Sequence, residues 1–199
     1  MTFSVKRSIW LIVLVAVAAG TLPAQISTEP MVDNPQYLRW APFDLGSWAR
    51  RKFVVTVDGT DRAESITTAT LTAIDEDQLV LTLEEVATTW DIGFPLARPT
   101  EKMDVPAKVP AGSAVVDDPE EVEEGEATIK VPAGTFKCKY TSKTSTYTYD
   151  GRTHVVIDTT WRCDKVPGGT VKWSMVSYDL PVGKTTTTFE LLDYSTGGL

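Results

Sequence analysis

Two cysteines, a single histidine and a long acidic run are the residues of this chain whose types and spacing invite chemistry. Cys138 and Cys163 are equidistant from the dipeptide Asp150-Gly151. Asp-Gly favours a two-residue type I′ hairpin turn, because both central positions accept positive φ. Such a turn makes Tyr149 and Arg152 a hydrogen-bonded pair and sets Cys138 opposite Cys163 at a non-hydrogen-bonded pair, where side chains come closest. The spacing therefore predicts a cross-strand disulfide, which in the chain-entropy picture contributes roughly 3 kcal/mol. The same register sets Tyr140 against Trp161, Thr144 against Ile157 and Thr146 against Val155 on the cysteine face. On the other face it sets Lys137 against Asp164 and Lys143 against Asp158, while Lys139 opposite Arg162 runs against the scheme. Apolar pairs on one face and opposed charges on the other are what cross-strand pairing rewards. A slip of one residue would turn the aromatic pair to the charged face, so the turn and the pattern specify one alignment.

Other constellations lack partners that their chemistry needs. His154 and Asp158 share a strand face, but nucleophilic catalysis also requires a nucleophile within hydrogen-bond reach. A lone histidine falls short of the ligand count of a metal site. Glu84 and Glu85 are adjacent on a strand and point to opposite faces, which removes them as an acid/base pair. The run Asp117, Asp118, Glu120, Glu121, Glu123, Glu124 and Glu126 invites calcium, yet it lacks the alternating ligand spacing and mid-loop glycine of an EF-hand. Its composition reads as a solvated flexible loop. A Lys-Val-Pro motif followed by Ala-Gly or Gly-Gly recurs at 108–113, 130–135 and 165–170. Proline presets φ for a turn and glycine takes the left-handed position, so each copy is expected to be a turn. The proline and the absence of a following helix argue against a phosphate loop, and the unequal spacings argue against a repeat architecture. These residues predict no catalytic site, no cofactor, no metal and no enzyme.

The elements that must position such residues are strands. In the later half, segments near 126–131, 135–149, 152–166, 170–180 and 184–194 are rich in Thr, Val, Tyr and Trp and joined by short turns. Val171, Trp173 and Met175 alternate with Lys172 and Ser174. The earlier half adds strands near 50–58, 63–74 and 78–90, turning at Asp58-Gly59 and Asp75-Glu76-Asp77. Leu79, Leu81 and Leu83 alternate with Val80, Thr82 and Glu84, which gives the third of these an inward side. No window carries a sustained helical period. The expected fold is all-β, an antiparallel meander of about eight long strands with little helix, curved into a half-barrel or open barrel. Tyr140, Trp161, Trp173, Met175 and Leu81 are expected to line one apolar face. From about 94 to 126 the pattern fails, with Pro95, Pro99, Pro106 and Pro110 ahead of the acidic run, and an irregular loop is expected.

Lys6 and Arg7 precede an apolar run from Ile9 to Ala19, followed by Gly20, Pro23 and Ala24. This reads as a secretory signal peptide over 1–24, and the run is too short to span a bilayer comfortably. A periplasmic or secreted location follows, with no integral span after cleavage. Residues 25–42, with Pro30, Pro35 and Pro42, are expected to be an extended segment ahead of a single β domain over 43–199. The formal net charge of −8 makes nucleic acid an unsuitable partner.

The stretch 125–138, followed by Trp161 and by Pro167-Gly168-Gly169-Thr170-Val171-Lys172, resembles a pattern in exported bacterial β-rich proteins of unknown function. Those families are distantly similar to the half-barrel of periplasmic lipoprotein carriers, and Phe43-Asp44-Leu45-Gly46-Ser47-Trp48 is similar to the Gly-x-Trp entry into their first strand. The matching residues are turn and core positions, so the resemblance implies a fold rather than an active site. Two functions are open at this point. One is a noncatalytic module binding an apolar or lipid-like ligand on a concave face. The other is an envelope or secreted structural or protein-interaction domain with a filled core.

Overall fold

Period-two alternation dominates this chain, and the structure is accordingly built from strands. The computed structural model describes residues 29–89, 95–111, 121–149, 152–180 and 183–197. The proposed signal peptide and the Asp150-Gly151 tip lie outside the described residues. In chain order the elements begin with β1 (Met31–Asp33), α1 (Pro35–Trp40), β2 (Trp48–Val57), β3 (Thr60–Ile74) and β4 (Gln78–Thr89). Three short strands follow: β5 (Pro95–Ala97), β6 (Glu101–Pro106) and β7 (Lys108–Pro110). The later half is β8 (Glu121–Val131), β9 (Gly134–Tyr149), β10 (Arg152–Arg162), β11 (Thr170–Leu180) and β12 (Gly183–Ser195).

Ten strands form one antiparallel sheet in the order β5-β4-β3-β2-β12-β11-β10-β9-β8, with β6 pairing β4 beside β5. Two meanders are thereby joined where β2 meets β12. The sheet stays open, with β8 at one edge and β5 and β6 at the other, so the fold is an all-β open half-barrel. Tight turns set the registers. At the β2–β3 turn Asp58 and Gly59 take φ of 50° and 78°, the left-handed pair that a type I′ hairpin requires. Asp58 Oδ1 also accepts the Lys184 N–H at 2.9 Å, which ties that tip to β12.

The β9–β10 hairpin has the register read from the sequence, from Tyr149 opposite Arg152 through Tyr140 opposite Trp161 to Lys139 opposite Arg162. The expected disulfide is overturned: Cys138 and Cys163 are free thiols. Pairing stops one residue short of them. A bulge between Trp161 and Arg162 shifts the β10–β11 register, and a bulge bends its strand and ends regular pairing. Cys163 then belongs to the turn that follows, where its N–H donates to Gly169 O at 2.8 Å and its carbonyl accepts from the Val166 N–H at 3.2 Å.

The loop expected over about 94–126 is also corrected. Residues 95–110 are three short strands, two on the free edge of β4 and one, β7, paired with β1. Proline disfavours long or central strands but is tolerated on short edge strands, whose outward N–H needs no partner. The acidic run is strand from Glu121 onward, and 112–120 lies outside the described residues. Within 25–42, expected to be extended, 35–40 is helix: Asn34 caps it by accepting the Gln36 N–H at 2.9 Å, and Pro35 stands in its first turn. The helix docks on the β4–β6 edge through Tyr37 Oη to Asp75 O at 2.7 Å and Asn34 Nδ2 to Pro106 O at 2.8 Å.

Leu71, Leu79, Leu81, Val166, Val171 and Leu191 are buried almost completely and anchor the core. Beyond Lys139 only β8 and β9 continue, and this two-stranded ribbon folds over the sheet end. There Ala133 N donates to Leu191 O at 3.3 Å, and the Phe136 and Tyr194 rings lie 5.9 Å apart.

Candidate functional site

Residues opposite one another in neighbouring strands share a face, so the registers assign the inner face, the one against which α1 packs. Trp173 lies opposite Phe189, Phe189 opposite Phe53, and Phe53 opposite Ser65. One row along, Leu191 lies opposite Arg51, Arg51 opposite Thr67, and Thr67 opposite Glu85. Ala49, Ala69 and Leu83 form the next row. Two adjoining clefts open on this face. One, of about 410 Å³, is walled by Trp40, Phe53, Leu81, Leu83, Met103 and Phe189, with Arg51 and Glu85 among its polar groups. The other, of about 400 Å³, is lined by Phe53, Phe189, Trp173, Thr160, Thr170 and Arg162. They share Phe53 and Phe189 and form one groove. Each lies in the size range of small-molecule sites, and an apolar wall with few polar groups is the lining such sites have.

The groove is amphipathic along the sheet. Across β3, β2, β12 and β11 it is mostly apolar, while further across, over β10 and β9, the same face presents Thr160, Asp158, Arg162, Thr141 and Lys143. Asp158 is held in place, accepting from the Trp173 indole Nε1 at 2.7 Å. Arg51 stands inside the apolar part. Its Nη2 donates to Pro167 O at 2.8 Å, its Cζ lies 5.4 Å from the centre of the Phe189 ring, and its Nε is shielded from solvent without a hydrogen-bond partner. Burial lowers its pKa to about 10, so it remains cationic at neutral pH.

The structure divides the residues expected to share an apolar face. Trp173, Met175 and Leu81 are on the inner face. Tyr140 and Trp161 oppose one another on the outer face, because Trp161 pairs with Lys172 and so leaves Trp173 against Thr160. The phase was set by the turn after Arg162, whose length the alternation does not reveal. Tyr140 has a local role: its ring covers Gly125, where an added Cβ would come within 2.8 Å of Cε1, and its hydroxyl donates to Glu123 Oε1 at 2.6 Å. That hydrogen bond, with smaller contributions from burial and the Glu123 charge, raises its pKa. Trp161 lies under Lys172, whose Nζ is 6.0 Å from the ring centre.

Sequence reasoning missed Arg51, Phe53, Phe189, Trp40, Met103 and Arg162. A signal existed for Arg51, since Ala49, Arg51 and Phe53 share one parity in a strand whose next residues of opposite parity are Arg50 and Lys52. A cavity of about 670 Å³ lies beside the thiols and carries mixed charge from Glu126, Lys137, Lys139, Arg162 and Asp164. Burial, and then the neighbouring Cys163, raise the Cys138 pKa. His154 stacks on Tyr147 with ring centres 5.1 Å apart. Among the described residues no three His, Cys, Asp or Glu side chains converge as a metal site would need, and no helix is long and apolar enough to cross a membrane.

No protein-family model matches the chain, and no curated protein matches it. Among solved structures it is similar to a protein of YmcC-like fold, named as exported, from Bacteroides fragilis NCTC 9343. The identity is 11%, over 77% of this chain and 97% of that one, with a TM-score of 0.45. It is also similar to a protein named as a lipoprotein from Parabacteroides distasonis ATCC 8503, at 12% identity over 76% of this chain and 96% of that one, with a TM-score of 0.44. Likeness at this level decides nothing about chemistry, which rests on the chain's own geometry.

Proposed function

We propose that this chain is a noncatalytic exported β-sheet module that binds an apolar, lipid-like ligand in the inner-face groove. The observation that carries this reading is the pair of adjoining clefts walled by Trp40, Phe53, Leu81, Leu83, Met103, Phe189 and Trp173 on an open sheet. Each methylene moved from water into such a groove contributes ~0.8 kcal/mol, so an acyl chain gains in proportion to the length it buries. Export is supported by the basic, apolar and small-residue order of the first 24 residues. A noncatalytic role is supported by Asp158, whose carboxylate is engaged by the Trp173 indole.

The uncharged dye N-phenyl-1-naphthylamine tests the groove, with mass spectrometry of molecules that copurify from the envelope fraction. Dye fluorescence is expected to rise on binding and to fall back with Met103→Asp, and an apolar molecule is expected to copurify. A silent dye and an empty protein would instead favour the envelope or secreted interaction module, with the inner face filled by its own side chains.

A further inference from the structure

Arg51 is the group in the groove that the fold leaves unexplained. It projects from β2 between Ala49 and Phe53 on the inner face, and among the described residues its hydrogen bond is to the Pro167 carbonyl. Among the described residues no carboxylate lies within salt-bridge distance. Glu85, in the same row two strands away, is engaged by Arg98 at 3.2 Å. Arg51 has company. Arg162 lines the adjoining cleft with its own Nε shielded and unpartnered, and it lies near enough to Arg39 of α1 that the two guanidinium groups repel. Both Arg39 and Arg51 reach the 163–169 turn, since a Cβ on Gly168 would fall 2.9 Å from Arg51 Nη2 and one on Gly169 would fall 3.3 Å from Arg39 Cδ. Arg51 and Arg39 thus meet the same turn, and none of the three guanidinium groups has a salt-bridge partner among the described residues, in a chain whose 27 acidic residues outnumber its 19 basic ones. Burying an unpaired charge is strongly unfavourable, and guanidinium is the group best shaped to receive a two-oxygen anion.

We infer that the groove selects an amphiphile with an anionic oxyanion head, a carboxylate or a phosphate monoester, seated on Arg51 with its chain over Phe53, Phe189 and Trp173. This deepens the reading of the groove as an apolar site and rests on it.

Calorimetric titration of the full chain with oleate, oleyl alcohol and inorganic phosphate separates the possibilities. Oleate is expected to bind about ten- to a hundredfold more tightly than oleyl alcohol, the range for a hydrogen bond to a charged group. In Arg51→Gln that ratio should collapse to about one, and Arg51→Lys should keep part of it. Equal binding of oleate and the alcohol by the unaltered protein overturns the head-group assignment and leaves the apolar groove standing. Phosphate binding as tightly as oleate also overturns it, in favour of a free-anion site. Failure of both lipids overturns the groove reading itself. Because the ratio is read first on the unaltered protein, the outcome does not depend on any variant folding.

Discussion

On the outer face of β11, β12, β2 and β3, Lys172 meets Glu190 at 2.7 Å and Lys52 meets Glu64 at 2.7 Å, all four half-exposed. On the inner face of the same strands Arg51 is half-buried, with an aromatic ring beside it and, among the described residues, no carboxylate within salt-bridge distance. The outer pairs keep water nearby and contribute little to stability. The inner cation gives up part of its hydration, its Nε wholly, and has one carbonyl as hydrogen-bond partner among the described residues, a trade that opposes stability. A residue that opposes stability is most simply accounted for by function, and this is the ground for proposing the inner face as the binding face.

Several substitutions would break or sharpen that contrast. Leu71→Ala removes a fully buried side chain from the frame both faces share, and urea denaturation should show a loss of ~2–5 kcal/mol; a change below ~1 kcal/mol would mean that the inner layer is loosely packed there. Arg51→Met should leave the protein as stable or stabilise it by up to ~4 kcal/mol, since apolar replacement relieves a buried charge. A clear fall in its denaturation midpoint would mean that the cation is satisfied after all. Gly168→Ala imposes a side chain at φ +74° and 2.9 Å from both Arg51 Nη2 and Trp40 Nε1, with an expected loss of ~1–3 kcal/mol and a weakened preference for oleate. Lys172→Met, on the outer face, should change stability by no more than ~1 kcal/mol and leave ligand selectivity alone.

The mildest effect is on pH dependence. With its pKa raised chiefly by the hydrogen bond to Glu123, Tyr140 contributes stability that is fully present below the ordinary tyrosine range and lost as pH rises through the folded value. Absorbance titration should find one tyrosine ionising late, and Tyr140→Phe should remove it. An unchanged titration in that variant would detach the shift from Tyr140.

How far the sequence reached depended on whether a feature was local. The β9–β10 register followed from one turn and one alternation, and every pair out to Lys139 and Arg162 agrees. The disulfide failed at the next residue, where the bulge after Trp161 and the following turn take Cys163 out of the ladder. Neither leaves a mark in the period. The inner side of β4 was legible from Leu79, Leu81 and Leu83, but Trp161 and Trp173 were joined across a turn that reverses their phase. The short edge strands over 95–110 hid behind prolines that forbid long strands and permit short ones. The six-residue α1 was too brief to display a period, although Asn34-Pro35 was a start signal. Arg51 was visible only as an oddity of parity, and its lack of a partner depends on contacts between residues far apart in the chain.

The central claim is that the apolar ligand lies on the inner face, and quenching of tryptophan fluorescence by dibromostearate tests it most directly. Trp173 lines the groove and Trp161 stands on the opposite face. The account predicts that Trp173→Phe removes a large share of the quenching while Trp161→Phe leaves it intact. Quenching that survives Trp173→Phe and disappears with Trp161→Phe would contradict it.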